Sequence, residues 1–164
     1  MIKIEVIPNV ISVEEADILL RTFDPITNGT DDFYFKDFQN FGVKKVKNIE
    51  HEIIDRILNK VGISKDLVDN VSILYYPTGA YNPRHADNSV TENGVVRKFK
   101  DWTRTGIVFL NNEFSGGELI YPDQGCVFLP VIGNMVITPA DSDYTHMVSQ
   151  VTSGSRFTLV FRFL

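Results

Sequence analysis

The second part of the chain is a series of short alternating runs. From residue 69 onward, apolar and polar residues alternate in runs such as VSILYY, TRTGIVFLN, NMVITP and RFTLVFRFL, and Gly, Pro, Asn or Asp separates one run from the next. Alternation with a period of two, interrupted by turn residues, is typical of strands in a β-sandwich or barrel. No helical periodicity interrupts the series, which argues against a parallel sheet with crossover helices. The sequence therefore predicts a mainly β protein.

The first 68 residues predict helices and strands that support this β region. KIEVI alternates like a strand, and FYFKDFQNFGVKKV predicts one or two more. Ser12 and Glu15 have the spacing of a capping box, followed by apolar residues at helical intervals, and residues 50–61 form a second amphipathic pattern. We expect one α+β, mainly β domain over residues 1–164. Residues 1–68 supply two helices packed on the sheet, and residues 69–164 form a jelly-roll (double-stranded β-helix) core.

Length and charge exclude several classes of protein. A chain of 164 residues fits one domain with a sizeable core, and its net charge of −5 favours neither nucleic acid nor an anionic membrane. No apolar run approaches the roughly 18 residues of a membrane span, and the N-terminus lacks a secretory apolar region. We therefore expect a cytoplasmic protein without membrane or nucleic-acid partners. The single cysteine, Cys126, excludes an intramolecular disulfide and is interpreted as a small apolar residue of a strand.

Three residues are candidate metal ligands. His85 and Asp87 stand two positions apart in YNPRHADNSV, so in an extended segment their side chains point to the same side. A further histidine, His146, begins another alternating run near the C-terminus. Two histidines and one carboxylate form the facial triad of non-haem Fe(II) oxygenases. An H-x-D pair alone is a weak signal, and His51, at the border of the polar face of its helix, is interpreted as a surface residue.

The last strand contains a candidate anion-binding residue. Arg156 and Thr158 share one face of the strand, opposite Phe157 and Leu159. A cation that projects into an apolar barrel is costly without an anionic partner, and a guanidinium can bind a carboxylate with two hydrogen bonds. The alternative is an arginine at the rim that pairs with an acidic side chain, an interpretation that suits Arg162 better.

The order of these motifs resembles a known family. Five motifs occur in a fixed order from about residue 71 to the end of the sequence. They are H-x-D, a strand ending in FLN, SGGEL, a G-x-x-x-x-P segment, and a histidine followed ten residues later by an arginine. This order resembles the prolyl 4-hydroxylase-like 2-oxoglutarate/Fe(II) dioxygenases, as do the Tyr and the Pro/Gly turn that precede H-x-D. The resemblance implies that His85, Asp87 and His146 bind Fe(II) and that Arg156 binds the distal carboxylate of 2-oxoglutarate.

The resemblance also implies secondary contacts and two departures. By this resemblance Thr158 lies beside Arg156 at the cosubstrate, and Thr105 is expected to donate its hydroxyl in the same pocket. Tyr76 matches an aromatic residue that lines the pocket, and the alternative is an ordinary core tyrosine. The collagen-type enzymes usually carry Lys where Arg156 stands. Phe109 occupies a position where the oxygen-sensing enzymes have a tyrosine on the cosubstrate carboxylate, and phenylalanine cannot donate that bond.

The function implied by the resemblance is hydroxylation of a prolyl residue in a peptide or protein. The cofactors implied are Fe(II), 2-oxoglutarate and O2, with ascorbate as a further candidate, and the products include succinate and CO2. Two alternatives stay open: an oxygenase with another substrate, such as a free amino acid or another side chain, and a non-catalytic jelly roll that binds a metal or ligand. Two segments, residues 31–41 and 87–102, are candidate walls of the substrate site. The alternative for residues 31–41 is a core strand, and the alternative for residues 87–102 is a mobile, solvated loop.

Overall fold

The computed structural model describes residues 3–35 and 38–164, which are mainly β. The helices of this part are α1 (Val13–Phe23), α2 (Pro25–Asn28) and α3 (Glu52–Val61). The strands are β1 (Glu5–Ile7), β2 (Thr30–Phe35), β3 (Phe38–Val46), β4 (Val68–Tyr76), β5 (Asn82–His85), β6 (Ser89–Glu92), β7 (Val95–Lys98), β8 (Arg104–Phe109), β9 (Phe114–Gly116), β10 (Leu119–Tyr121), β11 (Cys126–Phe128), β12 (Met135–Pro139), β13 (His146–Val148), β14 (Val151–Gly154) and β15 (Arg156–Phe163). Short 3₁₀ turns cover Lys65–Leu67 and Ser142–Tyr144.

Both predicted helices are present, and each has a defined N-cap. The Ser12 hydroxyl accepts from the Glu15 amide and the Glu15 carboxylate accepts from the Ser12 amide, both at 3.1 Å, so the predicted capping box at α1 is confirmed. At α3 the cap is His51, whose Nδ1 accepts from the Ile53 amide at 3.1 Å. This helix ends at Gly62, which has a φ of 69°. The single turn α2 was not predicted.

Two antiparallel sheets contain most of the strands. The large sheet has seven strands in the order β1-β12-β8-β15-β4-β3-β2, and the small sheet has four in the order β11-β10-β13-β5. Strands β1, β2 and β3 come from the predicted N-terminal support segment and pair directly with the large sheet. The predicted strands of residues 33–46 are β2 and β3, apart from residues 36 and 37, which lie outside the described part of the chain.

The large sheet packs on both of its faces. Against one face lie α1 and α3, which bury Leu19, Ile53 and Ile57 against alternate residues of β4, β8 and β15. Against the other face lies the small sheet, with Leu119 and Tyr121 in its apolar contact. Because side chains alternate along a strand, β15 directs its Phe and Leu side chains to the helices and its polar side chains to the space between the sheets. The candidate site lies in that space.

Residues 87–102 contain two strands that the sequence analysis did not identify. Strands β6 and β7 form an antiparallel hairpin whose turn is Asn93-Gly94, with φ of 51° and 76°. Positive φ at both central residues is the requirement of a type I′ turn, which Asn-Gly satisfies. The sequence analysis missed this hairpin because it did not use the Asn-Gly signal between two short alternating runs. No helix in the described part of the chain is long and apolar enough to cross a membrane.

Candidate metal and anion site

Strand pairing brings the candidate metal ligands together. His85 ends β5 and His146 begins β13, and the two residues are direct partners in the antiparallel ladder. Their rings lie 4.4 Å apart, centroid to centroid. Asp87 follows β5, and its amide donates to the Ala140 carbonyl at 3.1 Å, which fixes the backbone just beyond the pair. Residues about 60 positions apart in sequence therefore meet at one end of the small sheet.

The ligating atoms are close enough to share one cation. His85 Nε2 lies 3.6 Å from Asp87 Oδ1, and His146 Nε2 lies 3.7 Å from Asp87 Oδ2. All three side chains are buried, and their ligand atoms lie within 4.8 Å of one another. A divalent metal with ligand distances of about 2.0–2.2 Å holds its neighbouring ligand atoms roughly 3–4 Å apart. The cluster could hold such a metal with small side-chain adjustments.

Each histidine places its Nε2 near the Asp87 carboxylate. His85 Nδ1 lies 2.7 Å from the Pro83 carbonyl and His146 Nδ1 lies 3.2 Å from the Tyr144 carbonyl. A carbonyl can only accept, so Nδ1 carries the proton in both rings and Nε2 is the acceptor nitrogen. In His85, Nε2 also lies 3.4 Å from the Asn82 side-chain amide nitrogen. Burial lowers the pKa of His146 to about 4, which favours the neutral imidazole that metals require. The Tyr121 ring, which the sequence analysis did not identify, stacks on His146 at 4.8 Å.

Asp87 is held in its ionised form by a second pair of polar side chains. Burial opposes ionisation, but the Arg162 guanidinium and the two imidazoles keep the pKa of Asp87 well below its usual range. Arg162 Nη2 lies 3.1 Å from Asp87 Oδ1, and the Thr105 hydroxyl donates to Asp87 Oδ2 at 2.8 Å. Arg162 Nη1 also donates to the Thr105 hydroxyl at 2.9 Å. Arg162 therefore pairs with an acidic residue, as the sequence suggested, but inside the site.

Arg156 is buried without an anionic partner in the described part of the chain. Its side chain is 2 % exposed, Nε donates to the Gly117 carbonyl at 2.9 Å, and its Cζ lies 4.8 Å from the Tyr76 ring and 5.7 Å from the Phe109 ring. Gly117 has a φ of 61°, and a Cβ there would lie 2.9 Å from the Arg156 Cδ, so glycine permits this contact. Burial lowers the pKa of the Arg156 guanidinium, and no carboxylate of residues 3–35 and 38–164 stabilises its charge.

The three candidate metal ligands, His85, Asp87 and His146 (the metal cluster), and Arg156 line the same cavity between the sheets. Six of the seven residues expected in the site line it: Tyr76, His85, Asp87, His146, Arg156 and Thr158. The seventh, Thr105, contacts Asp87 and Arg162 instead. The Thr158 hydroxyl is buried, and no hydrogen-bond partner for it is found in residues 3–35 and 38–164. A buried hydroxyl two residues from a buried guanidinium, on the same face of β15, provides a donor set suited to a carboxylate.

A wider groove adjoins this cavity. The groove has a volume of about 480 Å³ and reaches His85 and Arg162. Phe33, from the segment of residues 31–41, and Phe99, Lys100 and Trp102, from residues 87–102, contribute to its lining. Both segments named as candidate walls therefore border the groove that leads to the metal cluster.

Comparison with known proteins gives structural neighbours only. No protein-family model and no curated protein matches the sequence. A viral collagen prolyl hydroxylase from Paramecium bursaria Chlorella virus 1, in complex with 2-oxoglutarate, superposes with a TM-score of 0.73 at 21% identity, over 97% of this chain and 94% of that one. A Pseudomonas putida prolyl-4-hydroxylase has a TM-score of 0.70 at 18% identity, over 98% and 91%.

A third neighbour was solved with a peptide. The prolyl hydroxylase of Trichoplax adhaerens, in complex with a fragment of the hypoxia inducible factor oxygen degradation domain, has a TM-score of 0.69 at 15% identity, over 98% of this chain and 83% of that one. At these identities the likeness establishes the fold. The chain has the fold of prolyl hydroxylases, as the order of its motifs implied.

Proposed function

We propose that the chain is an Fe(II)- and 2-oxoglutarate-dependent dioxygenase that hydroxylates a prolyl residue in a peptide or protein. The observation that carries the proposal is the shared cavity, which joins a buried His-Asp-His cluster to a buried arginine lacking a carboxylate partner in the described residues. The two-sheet arrangement supports a double-stranded β-helix, and the structural neighbours of that fold are named prolyl hydroxylases.

The donor set suits Fe(II). His85, Asp87 and His146 would supply two neutral imidazoles and one carboxylate, the ligand combination of the facial triad, which leaves open positions for other ligands. Pro83 and Tyr144 hold the imidazole Nδ1 atoms through their carbonyls, as partners of this kind do at many metal sites. Thr105 and Arg162 hold the two carboxylate oxygens of Asp87. We therefore assign Thr105 to positioning Asp87, whereas the sequence suggested a role in binding the cosubstrate.

Arg156 would bind the distal carboxylate of 2-oxoglutarate. A buried cation without a counter-ion is costly, so the missing anion is best supplied by a ligand. The Arg156 Nη groups have no bond in the described residues, and the nearby Thr158 hydroxyl is unpaired. Tyr76 and Phe109 hold the arginine between their rings, and Tyr76 lines the same cavity. Phe109 therefore supports the guanidinium through its ring and makes no hydrogen bond to the cosubstrate.

In the proposed reaction the metal and the protein would have different roles. O2 would be the oxidant, and bound Fe(II) would activate it. One oxygen atom would enter succinate as 2-oxoglutarate loses CO2, and the other would enter the C–H bond of the substrate as a hydroxyl. The chain's own residues would orient both groups, keep Asp87 ionised and exclude water by closing the space between the sheets. The groove beside His85 would admit the substrate. The peptide held by the Trichoplax enzyme supports a chain-like substrate.

Succinate formation tests the proposal. The purified chain is incubated with Fe(II), ascorbate and 2-oxoglutarate, with and without a proline-rich peptide, and succinate and a mass increase of the peptide by one oxygen are measured. We expect both products in equal amounts, and neither with Asp87→Ala. Binding of metal and 2-oxoglutarate without succinate would instead identify a non-catalytic binding protein. Succinate without oxidised proline would point to another substrate.

A further inference from the structure

The groove beside the metal cluster carries positive charge, although the whole chain is acidic. Four cationic side chains line the groove, Lys45, Lys47, Lys100 and Arg162, against two carboxylates, Asp32 and Asp69. The chain as a whole has a net charge of −5. A cleft whose charge opposes that of the protein around it concentrates ligands of the opposite sign.

The positive charges divide into paired and unpaired ones. Lys45 lies 2.7 Å from Asp32, so these two charges offset each other. Asp69 accepts from the Trp102 indole at 2.7 Å. Lys47 and Lys100 are exposed and form no ion pair with residues in the described ranges. The excess charge of the groove therefore faces its opening.

Two cations share one aromatic ring in the lining of the groove. The Arg162 Cζ lies 5.0 Å and the Lys100 Nζ 5.3 Å from the centroid of the Trp102 ring. Arg162 uses one N–H for Thr105 and lies against Asp87, which leaves other donors of its five available. Two cations on one ring repel each other, and an anion bound beside both would remove that repulsion.

The charges expected in the occupied site also favour a negatively charged substrate. Fe(II), Asp87, dianionic 2-oxoglutarate and Arg156 together would be neutral. Arg162 adds one positive charge that this set does not balance. The groove lining, Arg162 included, has four positive charges against two negative ones, of which Asp69 accepts from the Trp102 indole. This leaves an excess of two positive charges beside the occupied site, and a negative charge on the substrate would reduce it.

We propose that the substrate peptide carries an acidic side chain next to the residue that is hydroxylated, and that Arg162 and Lys100 bind its carboxylate beside Trp102. The inference rests on the proposed function for the identity of the peptide, and it adds a substrate class: acidic sequences around the target proline. Arg162 would contact Asp87 and the substrate carboxylate with different donors of one guanidinium.

Trp102 makes the binding measurable without turnover. It is the single tryptophan of the chain and lines the groove, so its fluorescence reports on occupancy. The full chain is loaded with Zn(II) and 2-oxoglutarate and titrated with acetyl-Gly-Ala-X-Pro-X-Ala-Gly-amide, where X is Glu, Gln or Lys. We expect the Glu peptide to bind about tenfold more tightly than the Gln peptide, and the Lys peptide most weakly. The difference should shrink in 0.5 M NaCl because salt screens exposed charges.

Two variants test whether the preference for the Glu peptide depends on Lys100. Lys100→Gln is expected to reduce the preference for Glu over Gln by about three- to fivefold, the range of an exposed ion pair, with the Gln peptide unaffected. Lys3→Gln, which removes the same charge from an exposed side chain outside the groove, is the matched control and should keep the full preference. Both variants should melt at the temperature of the parent chain and bind 2-oxoglutarate equally.

Three results would overturn the inference. Equal affinity for the Glu and Gln peptides would exclude carboxylate recognition, and an unchanged preference in Lys100→Gln would exclude this groove. Free glutamate that binds as tightly as the Glu peptide would assign the carboxylate to a small acid and not to a peptide. The proposed function fails by a different result, the absence of succinate with every peptide, so the two failures are distinguishable.

Discussion

Arg156→Met is the substitution that tests the cosubstrate assignment most directly. Methionine keeps an unbranched apolar side chain between Tyr76 and Phe109 and removes the guanidinium with its bond to the Gly117 carbonyl. The guanidinium would make two charge-assisted hydrogen bonds to a carboxylate, each contributing about 1.5–3 kcal/mol. Loss of about 3 kcal/mol or more corresponds to a Kd for 2-oxoglutarate raised by on the order of 100-fold.

Stability measurements separate this effect from misfolding. Without 2-oxoglutarate, the variant is expected to be as stable as the parent chain or more stable, because it no longer buries an unpaired cation. At a concentration 100 times the parent Kd, 2-oxoglutarate stabilises the parent by about 2.7 kcal/mol. The same concentration would stabilise a variant with 100-fold weaker binding by only about 0.4 kcal/mol.

The assay is thermal unfolding of the Zn(II)-loaded chain over a series of 2-oxoglutarate concentrations, supported by calorimetric titration. Arg156→Lys is expected to recover part of the affinity, since it keeps the charge but loses the bidentate geometry. Arg97→Met, which removes an exposed arginine of the hairpin, is the control and should bind 2-oxoglutarate as the parent does. Normal 2-oxoglutarate affinity in Arg156→Met would refute the assignment of this residue.

Three further predictions concern the metal and the fold. Asp87→Ala should abolish tight Fe(II) or Mn(II) binding in equilibrium dialysis while leaving 2-oxoglutarate binding to the metal-free chain in place; full metal binding would place the metal elsewhere. Thr105→Val should weaken metal binding by about 10–100-fold, because it removes the hydroxyl that holds Asp87 Oδ2, and an unchanged metal affinity would exclude this positioning role. Ser12→Ala should lower the free energy of unfolding by about 1 kcal/mol in urea titrations, with Ser153→Ala as a control on an exposed strand, and equal losses in both would contradict the capping contribution.

The sequence predicted the helices and strands better than the way in which the strands pair. Period-two alternation identified most strands of the two sheets, and the spacing of Ser12 and Glu15 identified the start of α1, because these signals are local. The hairpin β6–β7 was missed although Asn93-Gly94 is an equally local signal. The single turn α2 has too few residues for any periodicity to be recognised.

The grouping of His85, Asp87 and His146 could be anticipated because the residue types and their order sufficed. The environment of Asp87 could not, because it depends on the register between β8 and β15. That register pairs Arg162 with Thr105 across the two strands and so brings both side chains to one carboxylate. A shift of one residue would have turned Arg162 to the helix layer. The charge of the groove is equally a product of folding, since its lysines come from strands and loops distant in sequence.

The two arginines of β15 illustrate how position on a strand and local partners together determine a role. Arg156 and Arg162 are six residues apart and so lie on the same face of the strand, at opposite ends of the site. Arg162 meets a carboxylate of the chain itself, and its charge stabilises the ionised form of Asp87. Arg156 meets two aromatic rings and a carbonyl, none of which is an anion. Within the described residues, the fold therefore leaves the buried charge of Arg156 unbalanced at the end of the cavity away from Asp87. A dicarboxylate whose other end reaches a metal held by the His-Asp-His group is the ligand class that would balance it.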